Sequence, residues 1–277
     1  MDPRTKFLRS LIPLHGRGLE VGPGYNPLVP KIEGFQVETV DYTDVAGLRT
    51  KYRNNPHVDI NRIEEVDHIV DGDNDILSTI GEQKKFDYIV ASHVIEHTPD
   101  LLRFLKNCEN LLLPGGTLLL AVPDKRHCFD VFLPLTSTGM ILQAHLDVRL
   151  RPTPGAIFDD VAYNAVRGGA IGWSNSETTE LRFFAPFEDA QKAYTAAKKS
   201  DNYLDVHVWR FVPSSFRLIL HDLHALGEIR LREDRFFDSV GNEFYITLST
   251  ASFGCPVDRL TLAAQALVEQ SQILVSV

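Results

Sequence analysis

Cysteine is scarce, with three in 277 residues: Cys108, Cys128 and Cys255. None stands in CxxC spacing, so the sequence offers no disulfide framework and no zinc finger, and it suits a reducing, cytoplasmic compartment. Positive charge is also short. The 28 Lys+Arg against 37 Asp+Glu leave a formal charge of −9. That is the wrong sign for a general nucleic-acid binder, because phosphate binding runs on an excess of Lys and Arg. Long apolar runs are missing. The most apolar stretch, residues 111–122, is broken by Pro114-Gly115-Gly116 and falls short of the roughly 20 residues a membrane span needs. No apolar segment of signal-peptide type follows the charged N-terminus. Internal repeats and low-complexity segments are absent as well.

The composition itself is that of a globular chain, 44% apolar and 23% charged. The length suggests one elaborated domain that buries its core without covalent staples. In the first half, strand and helix signals alternate. Apolar runs at 19–21, 37–40, 66–70, 86–91 and 118–122 each end in small or acidic residues. Between the last two, Leu101, Leu102, Leu105, Cys108, Leu111 and Leu112 recur at helical spacing. This alternation predicts a parallel sheet covered on both faces, with ligands at the edge where its strands end. After a less regular middle, Ser214 is expected to cap a helix over 215–226, stopped by Gly227. Runs at 229–236 and 244–249, joined through Gly241-Asn242, predict an antiparallel pair. In the tail, Leu260, Ala264, Leu267 and Leu274 fall on one face of an amphipathic helix over 258–277.

The strongest local signal is Leu19-Glu20-Val21-Gly22-Pro23-Gly24-Tyr25-Asn26-Pro27. A strand running into Gly-x-Gly lets the backbone approach a ligand closely, since no Cβ intervenes. Asp41 closes the next strand seventeen residues after Gly24, a distance that suits a carboxylate accepting from ribose hydroxyls. A dinucleotide site wants a third glycine opening a helix, and Pro27 stands in its place. Glu20 also adds a carboxylate to the turn. Negative charge there suits a cation such as S-adenosylmethionine (SAM), with its sulfonium and ammonium groups, better than the pyrophosphate of NAD.

At these residues the sequence resembles the class I SAM-dependent methyltransferases. Residues 20–24 are similar to their first motif, and residues 86–97 to their fourth strand and the turn after it. Residues 113–118 are similar to the turn into their fifth strand. The resemblance covers residues 15–125. It implies a Rossmann-like α/β fold with seven strands in the order 3-2-1-4-5-7-6 and an antiparallel last strand. It also implies a cofactor site of Glu20, Gly22, Pro23, Gly24, Asn26, Asp41, Tyr42, Asp71, Ser92 and His93. Within that set, Asp41 takes the ribose-binding position and Asp71 the adenine-contacting one. Residues 122–130 and 207–213 further resemble methyltransferases associated with bacterial cell-surface polysaccharide and glycosyltransferase systems.

His93-Val94-Ile95-Glu96-His97 also reads as H-x-x-E-H, a zinc signature. That signature needs a helix, whereas here it abuts a strand, and no third ligand is evident. No metal site is therefore expected. Methyl transfer to a hydroxyl needs a base near the donor methyl. Asp124 and His127, just after the fifth strand, are the leading candidates. His97 is a third, with a packed structural histidine as the alternative. Residues 126–212 form a substrate-covering insertion, rich in aromatics and Arg that suit a saccharide or small-molecule acceptor. The expected activity is SAM-dependent methyl transfer to a hydroxyl of a saccharide or glycan intermediate. A small-metabolite N- or O-methyltransferase and a non-catalytic SAM-binding scaffold are the alternatives. A glycosyltransferase partner, or an oligomer formed through the C-terminal helix, would fit the tail.

Overall fold

A computed structural model describes residues 2–70, 74–174, 179–200 and 202–272. Seven strands form the main sheet. They are β1 (Gly18–Val21), β2 (Val37–Asp41), β3 (His68–Ile69), β4 (Phe86–Ser92), β5 (Leu112–Pro123), β8 (Arg232–Val240) and β9 (Glu243–Ser249). Their order is β3-β2-β1-β4-β5-β9-β8. The first five run parallel and β9 runs antiparallel to β5, as expected for a Rossmann-like methyltransferase sheet. Along each central strand the side chains alternate between two buried faces. Leu19, Ile89, Leu118 and Leu120 pack with α4 (Leu101–Leu111) and α8 (Pro213–Ala225) on one side. Tyr88, Val90, Leu119 and Ala121 pack against Leu8 of α1 (Pro3–Arg9) on the other. Burial on both faces explains why these strands read as continuous apolar runs.

Several element boundaries differ from the sequence reading, each for a local reason. β5 begins six residues early because the Pro114-Gly115-Gly116 turn sits inside it, with Gly115 at φ +78°. β3 shrinks to two residues paired only with the end of β2. β8 is displaced toward the hairpin turn, where Gly241 adopts φ +67°. α8 starts on Pro213. The Ser215 hydroxyl, not Ser214, closes its first turn on Val212. Ser214 instead ties α8 to α9 (Arg259–Ser271), donating from Oγ to Glu269 Oε1 at 2.6 Å. On α9 the buried residues are Leu262 and Ala266, while Leu260 and Leu267 are exposed. Leu274 lies outside the described residues. Among the described residues no helix is long and apolar enough to cross a membrane.

The chain from β5 to α8 carries α5 (Thr138–Leu146), α6 (Pro154–Tyr163), a small hairpin of β6 (Ala165–Arg167) and β7 (Leu181–Phe183), and α7 (Phe187–Ala197). Its last stretch returns under the sheet edge. There the backbone amides of Val208 and Trp209 donate to the Glu96 carbonyl, bringing this distant segment beside the turn after β4.

Candidate functional site

A cavity of about 280 Å³ opens where β1, β2 and β4 end. The sheet order reverses between β1 and β4, so their crossovers leave in opposite directions and a crevice forms. β1 turns through Gly22 and Gly24, at φ +66° and +53°. A Cβ on Gly22 would lie 2.6 Å from Val94 Cγ2, so side-chain-bearing residues are doubly excluded there. The Gly22 amide donates to the Val40 carbonyl at 2.7 Å, pinning the turn to β2. The Asp41 carboxylate accepts from Gly24 N–H at 3.1 Å and from Tyr42 N–H at 2.8 Å. Those two amides orient a carboxylate that also lines the cavity. Burial raises its pKa above the usual carboxylate value. No α-helix follows this turn; a single 3-10 turn at Lys31–Glu33 precedes β2. The free amides of a helix start, which a pyrophosphate would use, are therefore missing.

Glu20 is not at this wall. Alternation along β1 puts it on the α1 side of the sheet, opposite Leu19 and Val21. There it is 3% exposed and accepts from the amides of Leu28 at 2.5 Å and Val29 at 3.0 Å. Its expected attraction for a cationic ligand at the turn has no geometric basis. Asn26 is exposed beyond the turn, and Pro23 lies on the turn's other side, beside Thr39 and Leu48. Asp71 lies outside the described residues.

The rest of the wall mixes apolar residues, among them Val70, Ile76, Val94 and Leu150, with charged residues from distant parts of the chain. Lys51 of α2 (Val45–Tyr52) lies over the Tyr42 ring at 4.9 Å and pairs with Asp205 at 2.7 Å. Asp205 also lies 2.8 Å from His97 Nδ1. These two cations overcome the effect of burial and hold the Asp205 carboxyl far below its usual range. Tyr203, Asp100, Arg103 and Arg149 also line it. The sequence reading did not single out Lys51 or Asp205 for the site. The one signal near Asp205 is its place two residues before His207, which opens a motif-like stretch.

β4 ends at Ser92, and His93 just after it holds a left-handed φ of +54°. His93 Nε2 lies 2.8 Å from Glu243 Oε2, and Glu243 also pairs with Arg4. Against the cost of burial, those two cations lower the Glu243 pKa to about 2. Ser92 faces away from the cavity and accepts from Arg4 Nη2 at 2.7 Å. His97 lines the cavity on a 3-10 turn, Ile95–His97, so His93 and His97 do not share an α-helical face. The H-x-x-E-H pattern is therefore not a zincin helix.

Asp124 and His127 are not at the cavity wall. The backbone after β5 bridges to Phe211, which carries this turn under the segment before α8. Asp124 is fully buried, paired with Arg126 at 2.6 Å, and accepts from Ser239 Oγ at 2.6 Å. His127 is buried, and the loss of hydration lowers its pKa. Of the three expected catalytic residues, the structure brings His97 alone to the cavity. Of the expected cofactor residues it brings Gly22, Gly24, Asp41, Tyr42 and His93 there.

A family model described as a methyltransferase domain matches residues 1–180. Among solved structures, the chain is similar to the CcbJ methyltransferase from Streptomyces caelestis. That match has 16% identity, covers 89% of this chain and 93% of the other, and has a TM-score of 0.43. It is similar to a SAM-dependent methyltransferase from Mesorhizobium loti at 12% identity, over 88% and 95% of the two chains, with a TM-score of 0.45. A SAM-dependent methyltransferase from Thermotoga maritima matches at 21% identity over 44% of this chain and 50% of the other, with a TM-score of 0.31. No curated protein matches. With the family model covering well over half of its length, the chain belongs to the methyltransferase-domain family, as an enzyme whose methyl donor is S-adenosylmethionine.

Proposed function

We propose that the methyl group passes to a hydroxyl oxygen of a saccharide, free or within a glycan intermediate. The observation that carries this reading is the division of the cavity wall. One half offers the glycine turn, Asp41 and Tyr42, which suit an adenosyl group: the carboxylate for ribose hydroxyls and close-approach backbone for the chain beyond. The other half offers His97, Asp100, Arg103, Arg149 and Asp205, a mixture of donors and acceptors that suits a polyhydroxylated acceptor. The insertion between β5 and α8 covers that half, since Arg149, Tyr203 and Asp205 belong to it. In the reaction an acceptor lone pair forms the new O–C bond as the C–S bond breaks. The C–S bonding pair stays with sulfur, which becomes a neutral thioether. The hydroxyl proton leaves through the imidazole and carboxylate groups at the end of β4, where His97 stands at the cavity wall.

The test is transfer of labelled methyl from SAM to matched panels of sugars, nucleotide sugars and amines. Incorporation into an alkali-stable ether on a sugar or nucleotide sugar is expected. Incorporation into amines alone would overturn the hydroxyl assignment and favour a small-metabolite N-methyltransferase. SAM binding with no turnover on sugars or nucleotide sugars would overturn the saccharide assignment.

A further inference from the structure

Glu96 has an environment that methyl transfer alone leaves unexplained. It is 1% exposed, and neither carboxylate oxygen accepts a hydrogen bond among the described residues. A carboxylate stripped of water and left unpaired is costly, so something else must meet its charge. Three imidazole nitrogens surround Oε1: His93 Nδ1 at 3.7 Å, His97 Nε2 at 3.9 Å and His207 Nε2 at 3.9 Å. None is at hydrogen-bond distance. An N–H donor to a carboxylate would close to about 2.8 Å, roughly 1 Å nearer. The gaps are closer to those around a bound ion. A tetrahedral site with bonds of about 2.1 Å holds its ligand atoms about 3.4 Å apart.

The far sides of the rings agree. His207 Nδ1 shares a hydrogen bond with Asp130 Oδ2 at 2.6 Å, and His97 Nδ1 meets Asp205 Oδ1 at 2.8 Å as an ion-pair contact without hydrogen-bond alignment. A carboxylate on the far nitrogen fixes the tautomer, aims the near nitrogen and raises its basicity, as the outer shell of a metal-bound histidine does. Glu96, His97 and His207 can each turn one ligand atom to a common point, those atoms all lying within 4.8 Å of one another. Two of these ligands come from the turn after β4. The third arrives from 110 residues away, on the segment whose Val208 and Trp209 amides bond the Glu96 carbonyl.

We propose that Glu96, His97 and His207 bind a divalent first-row transition cation, with Asp130 and Asp205 as positioning residues. Two imidazoles and one carboxylate select zinc-like ions over magnesium. Because His97 also lines the cavity, the ion would stand at the wall of the acceptor half. Its chemical contribution there would be to polarise and acidify a hydroxyl; with Nε2 on the ion, His97 would then hold the ion in place and no longer take the proton itself. That role rests on the hydroxyl-methylation reading; the site itself does not.

The experiment uses the full chain, stripped with EDTA and desalted, titrated with Zn²⁺ by calorimetry and in parallel with SAM. One equivalent of zinc should bind, and Co²⁺ should give a visible spectrum distinct from the free ion. Glu96→Gln should weaken zinc binding by about 100-fold or more through loss of a direct ligand, and Asp130→Asn by about 10- to 100-fold through its outer shell. Circular dichroism establishes that each variant is folded. Failure of the folded wild-type chain to take up Zn²⁺ or perturb Co²⁺, while it still binds SAM, would overturn the proposal. Undiminished zinc affinity in folded Glu96→Gln would overturn it too. Zinc binding without SAM binding would support the metal site while contradicting the cofactor placement.

Discussion

Asp41 serves two purposes at once: it accepts from the Gly24 and Tyr42 amides and presents its remaining lone pairs to the cavity. Asp41→Ala should weaken SAM binding by roughly 1–3 kcal/mol, the range for removing a charged acceptor from buried donors. Calorimetric titration checks this, and unchanged affinity would remove Asp41 from the site. Glu20 supports a prediction about pH. Burial, against two amide donors, pushes its pKa from 4.5 up to about 7. The folded state then binds more protons than the unfolded chain between those values. Its contribution to stability is present below pH 4.5, is lost as pH rises, and levels off above about pH 7. Glu20→Gln should flatten that part of the profile, measured by urea unfolding from pH 5 to 8. Parallel profiles for the two proteins would contradict the assignment. The glycine turn and Asp41 were legible in the sequence because a strand end and its turn are local. The direction of the Glu20 side chain was not, since it depends on which sheet face the 28–30 segment covers. Asp205 was hidden for a plainer reason: its partner Lys51 is 154 positions away.

The same contrast holds for whole elements. α4 shows a clear helical period because its buried residues, Leu101, Leu105, Cys108 and Leu111 among them, all face one side of a wide sheet. Asp100 caps it, accepting from the Arg103 amide at 2.9 Å. α9 misled the pattern. Its buried residues, Leu262 and Ala266, lie two residues on from the expected stripe, about 200° around a helix. A thirteen-residue helix with apolar residues on several sides does not by itself say which side its partner covers. Chemical denaturation can compare the two. Leu105→Ala, in a fully buried position, should cost about 2–5 kcal/mol. Leu267→Ala, exposed on α9, should stay within about 0.5 kcal/mol. Comparable losses would mean that α9 is covered in solution on its exposed side.

At the scale of the whole molecule, alternating strand and helix signals made the parallel sheet readable, and the strand order followed from the resemblance to the class I methyltransferases. The 126–212 insertion was not readable. Its helices are short, its hairpin has strands of three residues, and its ends are set by long-range contacts such as that from Val208 to Glu96. The return of that segment is what joins the two halves of the cavity. Lys51 belongs to the wall beside Tyr42, His97 to the wall proposed for the acceptor, and both pair with the same Asp205. Whatever repositions Lys51 on one side thus alters the restraint on His97 on the other. Binding free energies obey reciprocity, so a donor that tightens acceptor binding must itself be tightened by the acceptor, by the same factor. Asp205→Asn should bring that factor close to one, read as equal acceptor affinities with and without S-adenosylhomocysteine. Asp205 would then be the thermodynamic link through which the enzyme senses that both substrates are present.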